Sequence, residues 1–380
     1  MMATIKKRGD KYTAMFWVPD PSKPKGKAQR RVTGRTKSEV AKKERKIRSE
    51  VDEGRYITPA KVTIAEYFPK ALEIHSKSSG IREQSHYRNQ VVFKRISACI
   101  GSWTLSECDS VRLEDWLRDY QAAGNVRNGK PLSGGYMKCV AKVLKIGFKV
   151  AVRQKLIREN PMREVAIPSG YRKEVRIFSP EELSKLEQAW EGDRLAPFYE
   201  LVRDTGMRKG EAKALRWSDL DLKTNTISIS KTIYEADGRQ WENEPKSKNG
   251  FRKVALDGDL PRALKSLKAV QAQDRLRAGE YWKEGDFLFT DSLGNRLTER
   301  MIYLRWKKVI AKAGIPYNNF HALRHTHITD MLRAGILPHV LAKRVGDTVK
   351  TILTTYAHAI PEDDALVARK AAELRASRSV

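Results

Sequence analysis

The alternation of hydrophobic and polar positions divides this chain into three stretches of different character. In the first, "KYTAMFWV" and "KAQRRVTG" carry apolar and aromatic residues in short runs on either side of the turn-rich "PDPSKPKG". That pattern predicts two short strands. "TKSEVAKKERKIRSEVDEG" follows with helical spacing. Thr36 and Glu39 stand at the distance of a capping box, and Gly54 ends the helix. Few large apolar residues are available here, so the core is expected to be small. "YITPAKVT" reads as a linker.

From Thr63 to about Ile167 the period is helical throughout. "TIAEYFPKALEIHSK", "REQSHYRNQVVFKRISACIG", "SVRLEDWLRDYQAAG" and "GGYMKCVAKVLKIGFKVAVRQKLI" each repeat apolar residues at intervals of three or four. In the last of these, Tyr136, Val140, Val143 and Phe148 share a face. Lys138, Lys142, Lys145 and Lys149 are left elsewhere on the helix, either as a solvated face or as a surface for an anion.

The third stretch is mixed. "NPMREVAIPSGYRKEVRI" has two prolines and little periodicity, and a boundary is placed inside it. "SPEELSKLEQAW" then opens a helix with Ser179 as N-cap, Pro180 in the first turn and Glu182 three residues after the cap. A helix over 197–205 leads into a glycine-bounded turn. Strands are expected at "TISISKTIY" and "FRKVALD", on either side of "EADGRQWENEPKSKNG". A helix over 261–277, a short strand "DFLFT" and at least four more helices complete the pattern, the last a capped tail helix in "AIPEDDALVARKAAELRASRSV". The fold class is therefore α+β and multidomain, with parts at 1–58, 59–168 and 169–380: a small sheet with a helix, an all-helical domain, and a mainly helical domain with a small antiparallel sheet.

Charge narrows the partners. The 380 residues hold 74 Lys and Arg against 46 Asp and Glu, a net charge of +28. Residues 1–55 alone hold 17 basic and 7 acidic residues, a net +10 from about a seventh of the chain. An excess of this size points to nucleic acid or an anionic membrane. No run of 18 apolar residues suits a membrane span, and the N-terminus lacks the apolar core of a secretory signal. Cys99, Cys108 and Cys139 are too few and too irregularly spaced for a disulfide framework or a Cys-based zinc site, and are expected to be reduced core residues of a cytoplasmic protein.

Five of the seven histidines lie between His321 and His358, three of them in "FHALRHTHITDM". His321 and His325 have the i, i+4 spacing that can chelate zinc. The glutamate of HExxH is missing, however, and Arg324 sits between them, a group that never ligates a cation and repels one. No metal site is assigned. His321 and Arg324 are i, i+3 and face the same way. An arginine offers a planar fork to phosphate oxygens, and a histidine beside it can move a proton near neutral pH.

"DTGMRKGEAKALRWSDLD" (204–221), "HALRH" (321–325) and "VGDTVKTILTTYAH" (345–358) occur in that order across the C-terminal part of the chain. Together they resemble the boxes of the tyrosine recombinases, the phage-type integrases, and the three-part layout resembles integrases with arm-type DNA-binding, core-binding and catalytic domains. The resemblance implies a first catalytic arginine at Arg208 with Glu211 in support. It implies a second at Arg324, with His321 three residues ahead, and a nucleophile at Tyr356. The β-hairpin lysine matches Lys246 best, with Lys248 as runner-up; His325, His327 and His358 fall to structural or supporting roles. DNA contacts are expected from Arg30, Arg31 and Arg35 in the arm-type domain and from Lys138, Lys142 and Lys145 in the core-binding domain.

One position departs from the pattern. Nine residues before the tyrosine the family usually has His, sometimes Trp, and here that place is Asp347. An ionised carboxylate repels a phosphate. Asp347 is therefore expected to orient Arg324 or His321, or to stay protonated by its surroundings.

The implied chemistry needs neither ATP nor a metal cofactor. A tyrosine hydroxyl attacks a DNA phosphodiester, leaving a 3′-phosphotyrosyl link and a free 5′-hydroxyl. Two arginines neutralise the non-bridging oxygens. A lysine protonates the leaving oxygen, and His321 takes or shares the proton of the phenol, whose free pKa is about 10. The partners implied are double-stranded DNA with core-type and arm-type attachment sites, three further copies of the chain in a homotetramer, a host DNA-bending protein and an excisionase, with no membrane. The location implied is the bacterial nucleoid. Two rivals stay open at this point: a type IB topoisomerase, which reseals without a partner duplex, and a DNA-binding regulator, for which an intact nucleophile and arginines have no use.

Overall fold

The computed structural model describes residues 4–19, 26–53, 61–124, 129–169, 176–245 and 248–359. The chain divides into two compact units, Met1–Lys173 and Glu174–Val380. The linker expectation at 56–63 falls mostly outside the described residues, and the tail helix after residue 359 falls wholly outside them.

The first unit holds two separate apolar cores. Strands β1 (Lys6–Arg8), β2 (Lys11–Pro19) and β3 (Lys27–Gly34) form an antiparallel sheet in that order, with helix α1 (Lys37–Asp52) packed on one face. The sequence pattern missed β1, which is only three residues long. Alternation on β2 and β3 buries Phe16, Val18 and Val32 against Ile47 and Val51. Thr36 caps α1 as expected, its hydroxyl accepting the Glu39 N–H at 3.1 Å, but the Glu39 carboxylate turns to the Arg35 N–H instead of completing the box.

Helices α2 (Ile64–Ser79), α3 (Glu83–Ile100), α4 (Ser110–Ala123) and α5 (Gly134–Arg153) enclose the second core around Phe68, Phe93 and Phe148. Val140, Val143 and Phe148 are buried and Tyr136 is half-buried, while Lys138, Lys142, Lys145 and Lys149 are all exposed. The periodicity was a sufficient guide here because α5 has a single apolar face. The cysteines were less legible: Cys108 is buried, Cys139 is half-buried and Cys99 is exposed.

The second unit contains α6 (Pro180–Trp190), α7 (Ala196–Thr205), α8 (Lys209–Ala214), β4 (Leu220–Asp221), β5 (Thr226–Ile229), β6 (Thr232–Ala236), β7 (Arg239–Asn243), β8 (Arg252–Ala255), α9 (Leu260–Ala278), α10 (Glu299–Ala313), α11 (Ala322–Arg333), α12 (Pro338–Val345) and α13 (Val349–Tyr356). Ser179 and Glu182 form the capping box of α6. Phe198 stacks on Phe320, and Trp306 meets Phe320 edge-on, at the centre of the core.

Two strand expectations change. "TISISKTIY" is two strands: β5 joins the sheet β4-β5-β8, and β6 pairs with β7 in a separate hairpin. β7, "RQWEN", lies in what the pattern left as a connection, since its polar residues hide the strand. "DFLFT" forms only isolated bridges, Arg216 with Phe287 and Thr290 with Arg296. No helix among the described residues is long and apolar enough to cross a membrane.

Candidate active site

Four loop and helix ends of the second unit converge on two guanidiniums. Helix α7 closes at Gly206 in the left-handed region (φ 63°), where a Cβ would come within 2.6 Å of the His327 ring. That tight turn delivers Arg208 to the start of α8. The Arg208 N–H donates to Glu211 Oε2 at 3.0 Å, so Glu211 caps the helix that follows. The same carboxylate takes Arg208 Nη1 at 3.0 Å and Arg252 Nη2 at 2.8 Å. Burial alone would raise the pKa of Glu211; the bond to Arg252 and the charges of Arg252 and Arg208 hold it below the usual value.

Arg324, in the first turn of α11, is almost wholly buried at 2% exposure. Its Nη1 donates to the carbonyls of Gly206 (2.6 Å) and Val345 (2.8 Å). Arg208 Nη1 also donates to the Gly346 carbonyl at 2.7 Å. Both inner nitrogens are thus fixed to the backbone. The outer Nη2 atoms of Arg208 and Arg324 meet on a single oxygen, Asp347 Oδ2, at 3.0 Å each. Burial raises the pKa of Asp347, but the Thr348 N–H and the two arginines lower it more, so the carboxylate is ionised near neutral pH. Of the two expectations for Asp347, orientation of an arginine fits this geometry and protonation does not.

Tyr356 ends α13 with its ring buried, at 4% exposure. Its hydroxyl lies 2.5 Å from His325 Nδ1. Burial pushes the phenol up to about 12, with Arg324 pulling the other way, so the resting hydroxyl is protonated. His325 is lowered by burial and by Arg324, and is neutral. His321 was expected to take the phenol proton; it packs edge-on against His325 at 4.8 Å, one turn earlier and with an exposed edge. Dense surroundings and the nearby charges of Arg324 and Arg208 hold it down to about 3. The group that meets the hydroxyl is His325.

Sequence reasoning also missed Arg252. It is buried at 3% side-chain exposure and links Glu211 to the Arg344 carbonyl at 2.7 Å. The signal was the "FRKVAL" strand itself, whose inward arginine has to find a carboxylate. Lys246 lies outside the described residues. Lys248 begins a short 3-10 turn, Lys248–Gly250, and neither its side chain nor that of His358 is among those described.

In the first unit, Arg30, Arg31 and Arg35 are exposed, but they do not share a face. Arg31 pairs with Met15 and Arg30 with Phe16 across β2 and β3, so Arg30 projects on the α1 side and Arg31 on the open side with the exposed Trp17.

The phage integrase family matches residues 176–362, the segment that carries every group of this cluster. The chain belongs to the tyrosine recombinases. This recombinase is 26% identical to the XerC-like tyrosine recombinase of Caldanaerobacter subterraneus subsp. tengcongensis, over 87% of this chain and 88% of that protein. It is 25% identical to the ICEBs1 integrase of Bacillus subtilis, over 89% and 90% of the two chains. Among solved structures, the recombinase shares its fold with the Tn1549 transposon integrase in complex with transposon right end DNA. The TM-score is 0.67, at 19% identity, covering 81% of this chain and 98% of that one. The recombinase is thus a site-specific recombination enzyme of the integrase kind.

Proposed function

We propose that this recombinase integrates and excises a mobile DNA element by a 3′-phosphotyrosyl route. The observation that carries the proposal is the convergence of Arg208 Nη2 and Arg324 Nη2 on one point in a cluster that also holds Tyr356 and His325. Two fixed cations aimed at one place suit the non-bridging oxygens of a phosphodiester, where charge builds up as the reaction proceeds. Tyr356 attacks the scissile phosphorus as His325 accepts or shares its proton. Lys246, or Lys248 in its place, protonates the departing 5′-oxygen. Glu211 and Arg252 hold Arg208 in register.

The first unit supplies grip on the duplex. Lys138, Lys142 and Lys145 stand exposed along α5 over a rigid apolar core, in the part assigned to core-type DNA at 59–168. The open sheet face with Arg31 and Trp17 suits arm-type DNA in the part assigned at 1–58. Catalysis at 169–380 then runs in a tetramer, exchanging one pair of strands before the other through a four-way junction in the bacterial nucleoid, with a host bending protein and an excisionase setting direction.

A suicide substrate nicked beside its core site tests the reaction. Wild type should be trapped on the 3′ end, while Tyr356→Phe should bind the DNA and form no adduct. An adduct that persists in Tyr356→Phe would remove the tyrosine from this role. Supercoil relaxation with no two-site product would favour the topoisomerase reading.

A further inference from the structure

The unusual residue of this site is the one that both arginines already hold. Asp347 sits in the turn between α12 and α13. Gly346 before it has φ 69°, and a Cβ there would fall 2.3 Å from Arg252 Nη1 and 3.1 Å from the Asn249 carbonyl. The Asp347 N–H donates to Ala342 O at 2.9 Å, and its carbonyl accepts Asn249 Nδ2 at 2.9 Å. The main chain is therefore pinned on both sides, and the carboxylate is aimed by the backbone. Oδ1 accepts the Thr348 N–H at 3.0 Å, at the entry to the helix that ends in Tyr356. Oδ2 accepts one hydrogen bond from each guanidinium.

The geometry points to Asp347 as a specificity-determining residue: its carboxylate occupies the arginine pair, and a phosphate enters only by displacing it. This rests on the reading that Arg208 and Arg324 seat the scissile phosphate. A carboxylate and a phosphodiester are both anionic acceptors, so they compete for the same Nη2 protons and repel one another when side by side. The inner Nη1 atoms are committed to Gly206, Val345, Gly346 and Glu211, and are no alternative seat.

The competition has a threshold. A tethered group acts at an effective concentration on the order of millimolar when its linker is short, and Asp347 is held more tightly than a flexible linker holds its load. Free phosphate below that level does not displace it. A phosphate in a duplex gripped on both sides by the rest of the protein is itself delivered at high effective concentration, and can. The arginines are thereby kept from stray anions and loosely held DNA. When Oδ2 leaves, Oδ1 still has the Thr348 N–H, and the first turn of α13 is an electropositive place to retreat to. Entry of the phosphate is thus linked to the segment that carries the nucleophile. A histidine or tryptophan in this position would donate to the phosphate and impose no such threshold.

The test follows Tm of the full chain against inorganic phosphate, with ionic strength held constant by chloride, for wild type and Asp347→Asn. Only the part of the shift lost on adding Arg208→Gln is counted, which removes phosphate binding elsewhere on this basic protein. The variant should show that part clearly, with a phosphate dissociation constant at least about tenfold below the wild-type value. Equal constants would overturn the inference. Should Asp347→Asn not fold, wild type alone decides. Its counted shift should be absent below concentrations on the order of millimolar, and a shift well below that level would sink the idea. Because no cleavage is read, a failure here is distinct from a failure to form the phosphotyrosyl adduct.

Discussion

The two units use charge in opposite ways. In the first, Lys138, Lys142, Lys145 and Lys149 stand exposed on α5 above a core of Phe68, Phe93 and Phe148. In the second, Arg252, Arg324 and Glu211 are buried, and each donor or acceptor named above has a partner at hydrogen-bond distance. Exposed cations cost little to fold, and they act on a polyanion through released counterions without fixed geometry. Buried cations cost several kcal/mol each to desolvate unless paired, on the order estimated for ions in protein interiors. They are kept only where a position has to be held. On the proposed function, affinity and chemistry are carried by different physical kinds of basic residue, and changing one of each kind measures the difference.

The largest effect is expected from Arg324→Ala. On the proposed function it removes a cation from the reacting phosphate, and it strands the carbonyls of Gly206 and Val345 together with one side of Asp347. Single-turnover cleavage should fall by about 10²–10³-fold or more. Breaking the buried pair should also cost about 3–5 kcal/mol of stability, read by urea unfolding. Loss of activity with unchanged stability would show that the arginine is not the structural tie described here.

What was legible in the sequence follows the same division. Arg208, Glu211, Arg324 and Tyr356 stand out in the sequence because their boxes are local and ordered, and the structure brings the first three to one place with Asp347. The exposed lysines of α5 were found by period alone. Residues whose partners are distant in sequence were not found. Arg252 meets Glu211 across 41 positions and His325 meets Tyr356 across 31, and neither distance has a period. The i, i+3 spacing to Arg324 points to His321, whereas the tyrosine returns one turn farther along α11, at His325. β7 was missed because hairpin pairing, and not apolar content, holds "RQWEN" in a strand.

A middle-sized effect is expected at His327, which lies behind the site against Gly206. It is 8% exposed, and its Nε2 has no hydrogen-bond partner among the described residues. Burial, reinforced by Arg344, lowers it to about 4. The unfolded chain, with a histidine pKa of about 6.5, takes up the proton first. Stability is therefore full above about pH 6.5 and falls as pH drops toward the folded value. By pH 5 this one group should have removed about 2 kcal/mol, and His327→Leu should flatten that part of the Tm profile between pH 7 and 5. An unchanged slope in the variant would assign the acid sensitivity to other groups.

The smallest effect on the fold, and the most diagnostic of the first unit, belongs to Lys142→Ala. Its side chain is exposed on the face of α5 opposite Val140 and Val143. Stability should stay within about 0.5 kcal/mol of wild type, as for an exposed surface residue. Binding to a core-site duplex should weaken by a similar factor on every sequence, because a lysine on a phosphate reads no base. Each phosphate contact contributes about 0.9 to the slope of log K against log salt on duplex DNA. The variant's slope should therefore be shallower by about one unit. If the slope is unchanged in Lys142→Ala, this face of α5 is solvated and holds no DNA, and the grip of the first unit has to be sought on other basic positions.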